Sequence, residues 1–172
     1  MPEEEVVERA HKDEKQGKSP STQAGEFVRE EMHHVREGKH GARSPQQAIA
    51  IGLSKARRAG VKLAAPKRGK TSAGTRARAQ RDLRKGRRGR RGRISRTRSR
   101  ATTGALRREG HAAASHASLS HQARSAARKR GRRSRHHAAM KAVHTKGPAG
   151  LRREARKGSR TRQRHRRAAR RI

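Results

Sequence analysis

Leu, Ile, Val and Phe together fill only 17 of 172 positions, and Phe27 is the single aromatic residue. A chain this poor in apolar side chains cannot build a large core. Any fold it adopts must rest on a few well-placed contacts. Charge sharpens the constraint. Residues 67–172 hold 38 Lys and Arg against three acids, Asp82, Glu109 and Glu154, a net of +35 out of +37 for the whole chain. Residues 1–66 hold 12 basic and 10 acidic residues and are nearly neutral. A segment as basic as 67–172 repels itself and calls for a polyanionic partner, of which DNA and RNA are the abundant cellular examples.

Some classes are excluded at once. With one Phe and no Trp or Tyr, the chain lacks the aromatic platforms of single-strand binders and of most sequence-specific RNA modules. With no Cys, it has neither a disulfide framework nor a thiolate metal site. The start Met-Pro-Glu-Glu-Glu is acidic and does not resemble a secretory signal. No run approaches the ~18 apolar residues of a membrane span. The expectation is a soluble, intracellular, cytoplasmic protein without a cofactor.

The expected fold class is mainly α: a small N-terminal helix–loop–helix hairpin followed by a long, largely disordered Arg-rich tail with nascent helices. Residues 1–19 read as a charged arm, with a loose helix supported by pairs such as Glu8–Lys12. Residues 20–65 carry the folding information. Ser19 or Ser21 can cap a helix beginning near Pro20. Ala24, Val28, Met32 and Val35 recur at helical spacing with Phe27 on the flank, and Gly38 is a natural stop. Ser44-Pro45-Gln46-Gln47 is a strong second start, with Ser44 as cap and Gln47 completing a capping box. The second helix puts Ile49, Gly52, Leu53 and Ala56 on one face, and Ile51 on the other with Gln47, Ser54 and Arg58. Gly60 ends it, with Val61 placed to fold back on Ala56. A hairpin of this size is marginal alone and calls for a partner, a dimer mate or nucleic acid.

Beyond it, residues 66–104 read as a disordered basic linker, because Gly every third residue among arginines at 86–93 opposes a helix. Residues 105–172 mix Ala, Arg, Ser and His, with Gly110, Gly131, Gly147 and Gly158 as stops between short helices. Phosphate would neutralise the arginines and let those helices form on binding.

The expected nucleic-acid contacts are Arg87, Arg88, Arg90, Arg91, Arg93, Arg96, Arg98 and Arg100, then Arg128, Lys129, Arg130, Arg132, Arg133 and Arg135. Arg pairs bidentately with phosphate and keeps its charge at any pH, and Gly lets the backbone follow a groove. The run resembles an AT-hook but lacks the Pro after the Arg-Gly-Arg core. Lys55, Arg57 and Arg58 form a lesser candidate group; they also suit the C-terminal end of a helix dipole. Duplex DNA carries one charge per ~1.7 Å, so ~35 positive charges match about 60 Å, or roughly 18 base pairs.

No catalytic constellation appears: no nucleophile elbow, no Gly-rich loop with a phosphate-binding Lys. The 11 histidines show no converging ligand set. His33 and His34 are adjacent and point about 100° apart on a helix, and His111, His116 and His121 are not spaced i,i+4. Solvated or phosphate-facing histidines are expected.

Three stretches carry a resemblance: Ser19-Pro20-Ser21-Thr22-Gln23-Ala24-Gly25-Glu26-Phe27-Val28-Arg29-Glu30-Glu31, Arg36-Glu37-Gly38-Lys39-His40-Gly41-Ala42-Arg43-Ser44, and Gln47-Ala48-Ile49-Ala50-Ile51-Gly52-Leu53-Ser54-Lys55-Ala56-Arg57-Arg58-Ala59-Gly60. Over residues 19–66 the chain resembles a family of small bacterial proteins with an uncharacterised basic domain, often labelled plasmid stabilisation protein. The resemblance implies association with DNA and carries no site residues. The sequence as a whole leads to a non-enzymatic, largely sequence-independent DNA-binding protein of the nucleoid or a plasmid, with self-association through the hairpin. An RNA- or ribosome-associated basic protein, or a protein-interaction module localised by its tail, are the alternatives.

Overall fold

The computed structural model describes residues 4–89 and 95–169, and these are mainly α. The chain forms two compact units, residues 1–122 and 123–172.

The first unit is organised by the expected hairpin. Helix α2 (Pro20–Arg36) begins at its Pro with Ser19 as N-cap. The Ser19 hydroxyl bonds the side chains of Ser21 and Thr22 instead of the helix backbone. The helix stops in a Schellman turn: Gly38 has φ +75, its N–H donates to Val35 O at 3.3 Å, and Lys39 N donates to His34 O at 3.0 Å. Helix α3 (Pro45–Arg58) is capped by Ser44, whose hydroxyl accepts from Gln47 N at 3.2 Å. The Gln47 side chain accepts from Arg43 N, one residue before the cap, so the capping box is shifted outward by one. Gly60 (φ +104) closes α3, Val61 N donates to Ala56 O at 3.1 Å, and Val61 is buried against Ala56 as expected.

The hairpin is not left bare. Helix α1 (Glu4–Lys15) docks on α2 and completes one apolar cluster: Val6 and Ala10 of α1, Ala24 and Phe27 of α2, Ala56 of α3, and Val61. The expected loose arm is therefore a packed element. A second cluster joins Met32 and Val35 of α2, Ala42 of the loop, Ala48 of α3, and Ala113 and Ala114 of a 3₁₀ turn at Ala112–Ala114. Phe27, expected on the flank, is fully buried. Helix α2 packs against α1, α3 and the 3₁₀ turn, so its buried arc is wider than a single stripe.

Helices α2 and α3 cross closely at Gly52. A Cβ there would lie 2.8 Å from Val28 Cα and 3.0 Å from Phe27 O, both backbone atoms that cannot step aside. Gly52→Ala should therefore destabilise the protein by about 1–3 kcal/mol, the usual cost of overpacking, read from urea unfolding. An unchanged midpoint would show that the helices can move apart freely.

The expectation of a largely disordered tail needs correction. Helix α4 (Ala73–Arg87) is capped by Ser72, which accepts from Thr75 N, and it packs against α3. Helix α5 (Arg96–Arg107) is capped by Ser95, which accepts from Arg98 N. Two causes account for the order. Arg, Ala, Lys and Gln are strong helix formers. The rare acids of the tail also anchor it: Asp82 accepts from Ser54 Oγ at 2.7 Å and pairs with Arg58 at 3.6 Å, while Glu109 pairs with Arg43 at 3.4 Å. Gly86, counted as a helix breaker, sits inside α4 where a Cβ would collide with the Arg57 carbonyl. Backbone bonds from Gly41 N to Leu106 O (2.9 Å) and Ala42 N to Gly110 O (3.0 Å) tie the hairpin loop to the end of α5.

Helix α6 (His116–Lys129) leads into the second unit, which consists mostly of α7 (Gly131–Ala169). Of the expected stops, Gly147 (φ 62, ψ 175) breaks α7 just before Pro148, Gly131 opens it with φ 72, and Gly158 lies within continuous helix. None of the described side chains of residues 123–169 is buried, and Met140 and Val143 are exposed.

Candidate functional site

The tail arginines are presented on helices rather than on an extended linker. Arg87 ends α4 and Arg88 is its C-cap; Arg96, Arg98 and Arg100 lie in the first half of α5. Arg128 and Lys129 end α6, Arg130 lies in the turn after it, and Arg132, Arg133 and Arg135 open α7. All of these side chains are exposed. Arg135 donates to Ala127 O at 3.2 Å, bracing the α6–α7 turn. Arg90, Arg91 and Arg93 lie outside the described residues.

A second basic surface escaped the sequence reading. Arg152, Arg153, Arg156, Lys157, Arg160 and Arg164 line one exposed trough of about 650 Å³ along the later part of α7. Their i, i+3, i+4 spacing puts them on one helix face. At 1.5 Å per residue the stripe is about 18 Å long, the axial length over which duplex DNA carries roughly ten charges. The spacing was present in the sequence, but it is visible as a stripe only once the region is accepted as helical.

Lys55, Arg57 and Arg58 take a different place. Arg57 is buried, and its guanidinium donates to Leu63 O at 3.2 Å and, more weakly, to Leu53 O and Ala64 O at 3.5 Å. Burial lowers its pKa from the ordinary Arg value, and the nearby Asp82 carboxylate opposes that shift. Arg58 donates to Ser54 O at 3.2 Å and Ser54 Oγ at 3.0 Å and faces Asp82. Lys55 turns inward: its Nζ lies 2.7 Å from Glu31 Oε2 and 4.0 Å from Glu30 Oε2. These three cations thus hold α3 to α2, to α4 and to the segment after α3. Ile51, on the face with Ser54 and Arg58, is half-buried.

The Lys55 contact leads to a buried polar centre on α2. The Glu31 side chain is 0% exposed. Neither of its oxygens accepts a well-aligned hydrogen bond, so its short contacts with Lys55 and His40 are chiefly electrostatic. His40 Nε2 lies 3.2 Å from Glu31 Oε1, and the His34 and His40 rings meet edge to face with centroids 6.1 Å apart. His34 and His40 were expected to be solvated; His34 is buried and the His40 side chain is 14% exposed. The sequence holds a weak signal for this centre in the Glu31–His34 spacing of i, i+3. The participation of His40 depends on the Gly38 turn, which brings the chain back over α2.

Among the described residues no helix is long and apolar enough to cross a membrane. Compared with known proteins, the chain matches no family model, no curated protein and no solved structure.

Proposed function

We propose that this chain is a non-enzymatic binder of duplex DNA that recognises phosphate without sequence preference. The observation that carries the reading is the net +35 of residues 67–172; among the described residues many of these arginines are exposed on helices, the α7 stripe included. Helices present arginines at fixed spacing, so less side-chain and backbone freedom is lost on binding than from a coil. Counterion release supplies the affinity. The first unit is the candidate region for self-association or a protein partner.

The role that fits such binding is coating or compaction of DNA in the nucleoid, or retention of a plasmid. The resemblance over residues 19–66 favours the plasmid role. The absence of Trp and Tyr argues against single-strand recognition and leaves structured RNA as the rival target.

Competition at equal phosphate concentration separates the two. Unlabelled duplex DNA of any sequence should displace a labelled duplex at least as well as structured RNA does. Preferential displacement by structured RNA would make this an RNA-associated protein, and displacement by only one DNA sequence would contradict phosphate recognition.

A further inference from the structure

The buried centre on α2 has the form of a cation site. Glu31, His34 and His40 each offer a ligand atom, and these atoms all lie within 4.8 Å of one another. His40 Nδ1 lies 3.0 Å from Gly41 O. A carbonyl oxygen only accepts, so Nδ1 carries a proton and donates. In the neutral ring Nε2 is then a lone pair, and it faces a carboxylate oxygen, Glu31 Oε1, at 3.2 Å. Two acceptors at that distance repel each other unless a cation lies between them, either a second ring proton or a metal ion.

Three features favour the metal. A proton needs two partners, and the centre converges a third, His34. Two ligand atoms each about 2.0–2.1 Å from a tetrahedral zinc are about 3.3–3.4 Å apart, close to the 3.2 Å found between Oε1 and Nε2. The outer partners that metal ligands require are also in place: Gly41 O orients His40, and Lys55 Nζ, 2.7 Å from Oε2, holds the far oxygen of Glu31. A cleft of about 270 Å³, lined by Arg9, Arg29, Glu30, His33, Glu37 and Lys39, reaches His34. We propose that Glu31, His34 and His40 bind a divalent transition-metal ion of the zinc class, which staples the loop after α2 onto that helix. The proposal does not depend on nucleic-acid binding.

Zn²⁺ titration of the full chain tests it. One equivalent should bind saturably, raise the thermal midpoint, and shift the ring signals of His34 and His40 together in NMR spectra of the unmodified protein. Mg²⁺, which prefers all-oxygen sites, should do none of these. His34→Gln should weaken Zn²⁺ at least tenfold, and the double variant His136→Gln/His137→Gln, altered on exposed α7, should leave it unchanged. The proposal is overturned if the ring signals of His34 and His40 ignore Zn²⁺. It is equally overturned if His34→Gln binds as the unmodified chain does. Either result would make the centre a Glu31–imidazolium ion pair.

Discussion

Lys55→Ala should remove about 3–5 kcal/mol of stability, the cost of stripping one partner from a buried ion pair. Few positions in the molecule are expected to matter as much. The Glu31 carboxylate is fully enclosed, and the Lys55 ammonium at 2.7 Å is one of two cationic groups in contact with it, the other being His40 when protonated. Glu30 lies next to Glu31 on α2, only 3% exposed and 4.0 Å from the same ammonium. Without Lys55 a buried negative charge loses its compensation, whereas a solvated pair would lose about 0–1 kcal/mol. Chemical denaturation of the variant distinguishes these cases. A companion variant separates charge from packing: Glu31→Met combined with Lys55→Met should recover most of the loss, because an apolar pair of similar volume removes the desolvation cost. A loss below about 1 kcal/mol in Lys55→Ala would mean that water reaches the centre freely.

The second large effect concerns DNA. Changing Arg152, Arg153, Arg156, Arg160 and Arg164 together to Gln should flatten the log–log salt dependence of duplex affinity by about 4–5, from a loss of up to five phosphate contacts at ~0.9 each. Affinity should fall by a similar factor for unrelated duplexes, since phosphate contacts carry no sequence information. The helix itself should persist, because Gln is nearly as good a helix former as Arg, and circular dichroism checks this. An unchanged salt slope would remove the α7 stripe from the interface and place the contacts on α5 and the α6–α7 turn. A change confined to one duplex sequence would contradict phosphate recognition outright.

The parts of this fold that could be read in the sequence are those written in local chemistry. Pro20, the Ser44-Pro45 start, the stops at Gly38 and Gly60, and the return of Val61 to Ala56 all depend on residues within one or two turns of each other. What could not be read depends on distant partners. Val6 and Ala10 sit among charges in α1 and look solvated until Phe27 is seen to cover them. Ala113 and Ala114 lack any hydrophobic signature of their own, yet they close the second cluster some 65–80 positions after the residues they touch. Arginine density suggested disorder in the tail through self-repulsion, but helix propensity and the anchors Asp82 and Glu109 outweigh it in the first unit.

The candidate sites divide in the same way. Exposed tail arginines were legible from composition, whereas the α7 stripe needed a helix to align it. Lys55, Arg57 and Arg58 looked like a basic patch because a cation in a last turn reads the same whether it faces water or a buried carboxylate. Nothing in its local sequence marks Glu31 as a buried acid. Its burial is visible only when Lys55 from α3 and His40 from the loop are brought to it.

The central claim is that the exposed arginines bind duplex nucleic acid by counterion release. It is tested most directly by measuring the affinity of the full chain for one duplex across a range of salt concentrations. Engagement of about ten phosphates predicts a slope of log affinity against log salt near −9, and a loss of about 10⁵ in affinity between 50 and 200 mM. A slope shallower than about −3 would mean that no more than three or so phosphates are engaged, and it would contradict the account.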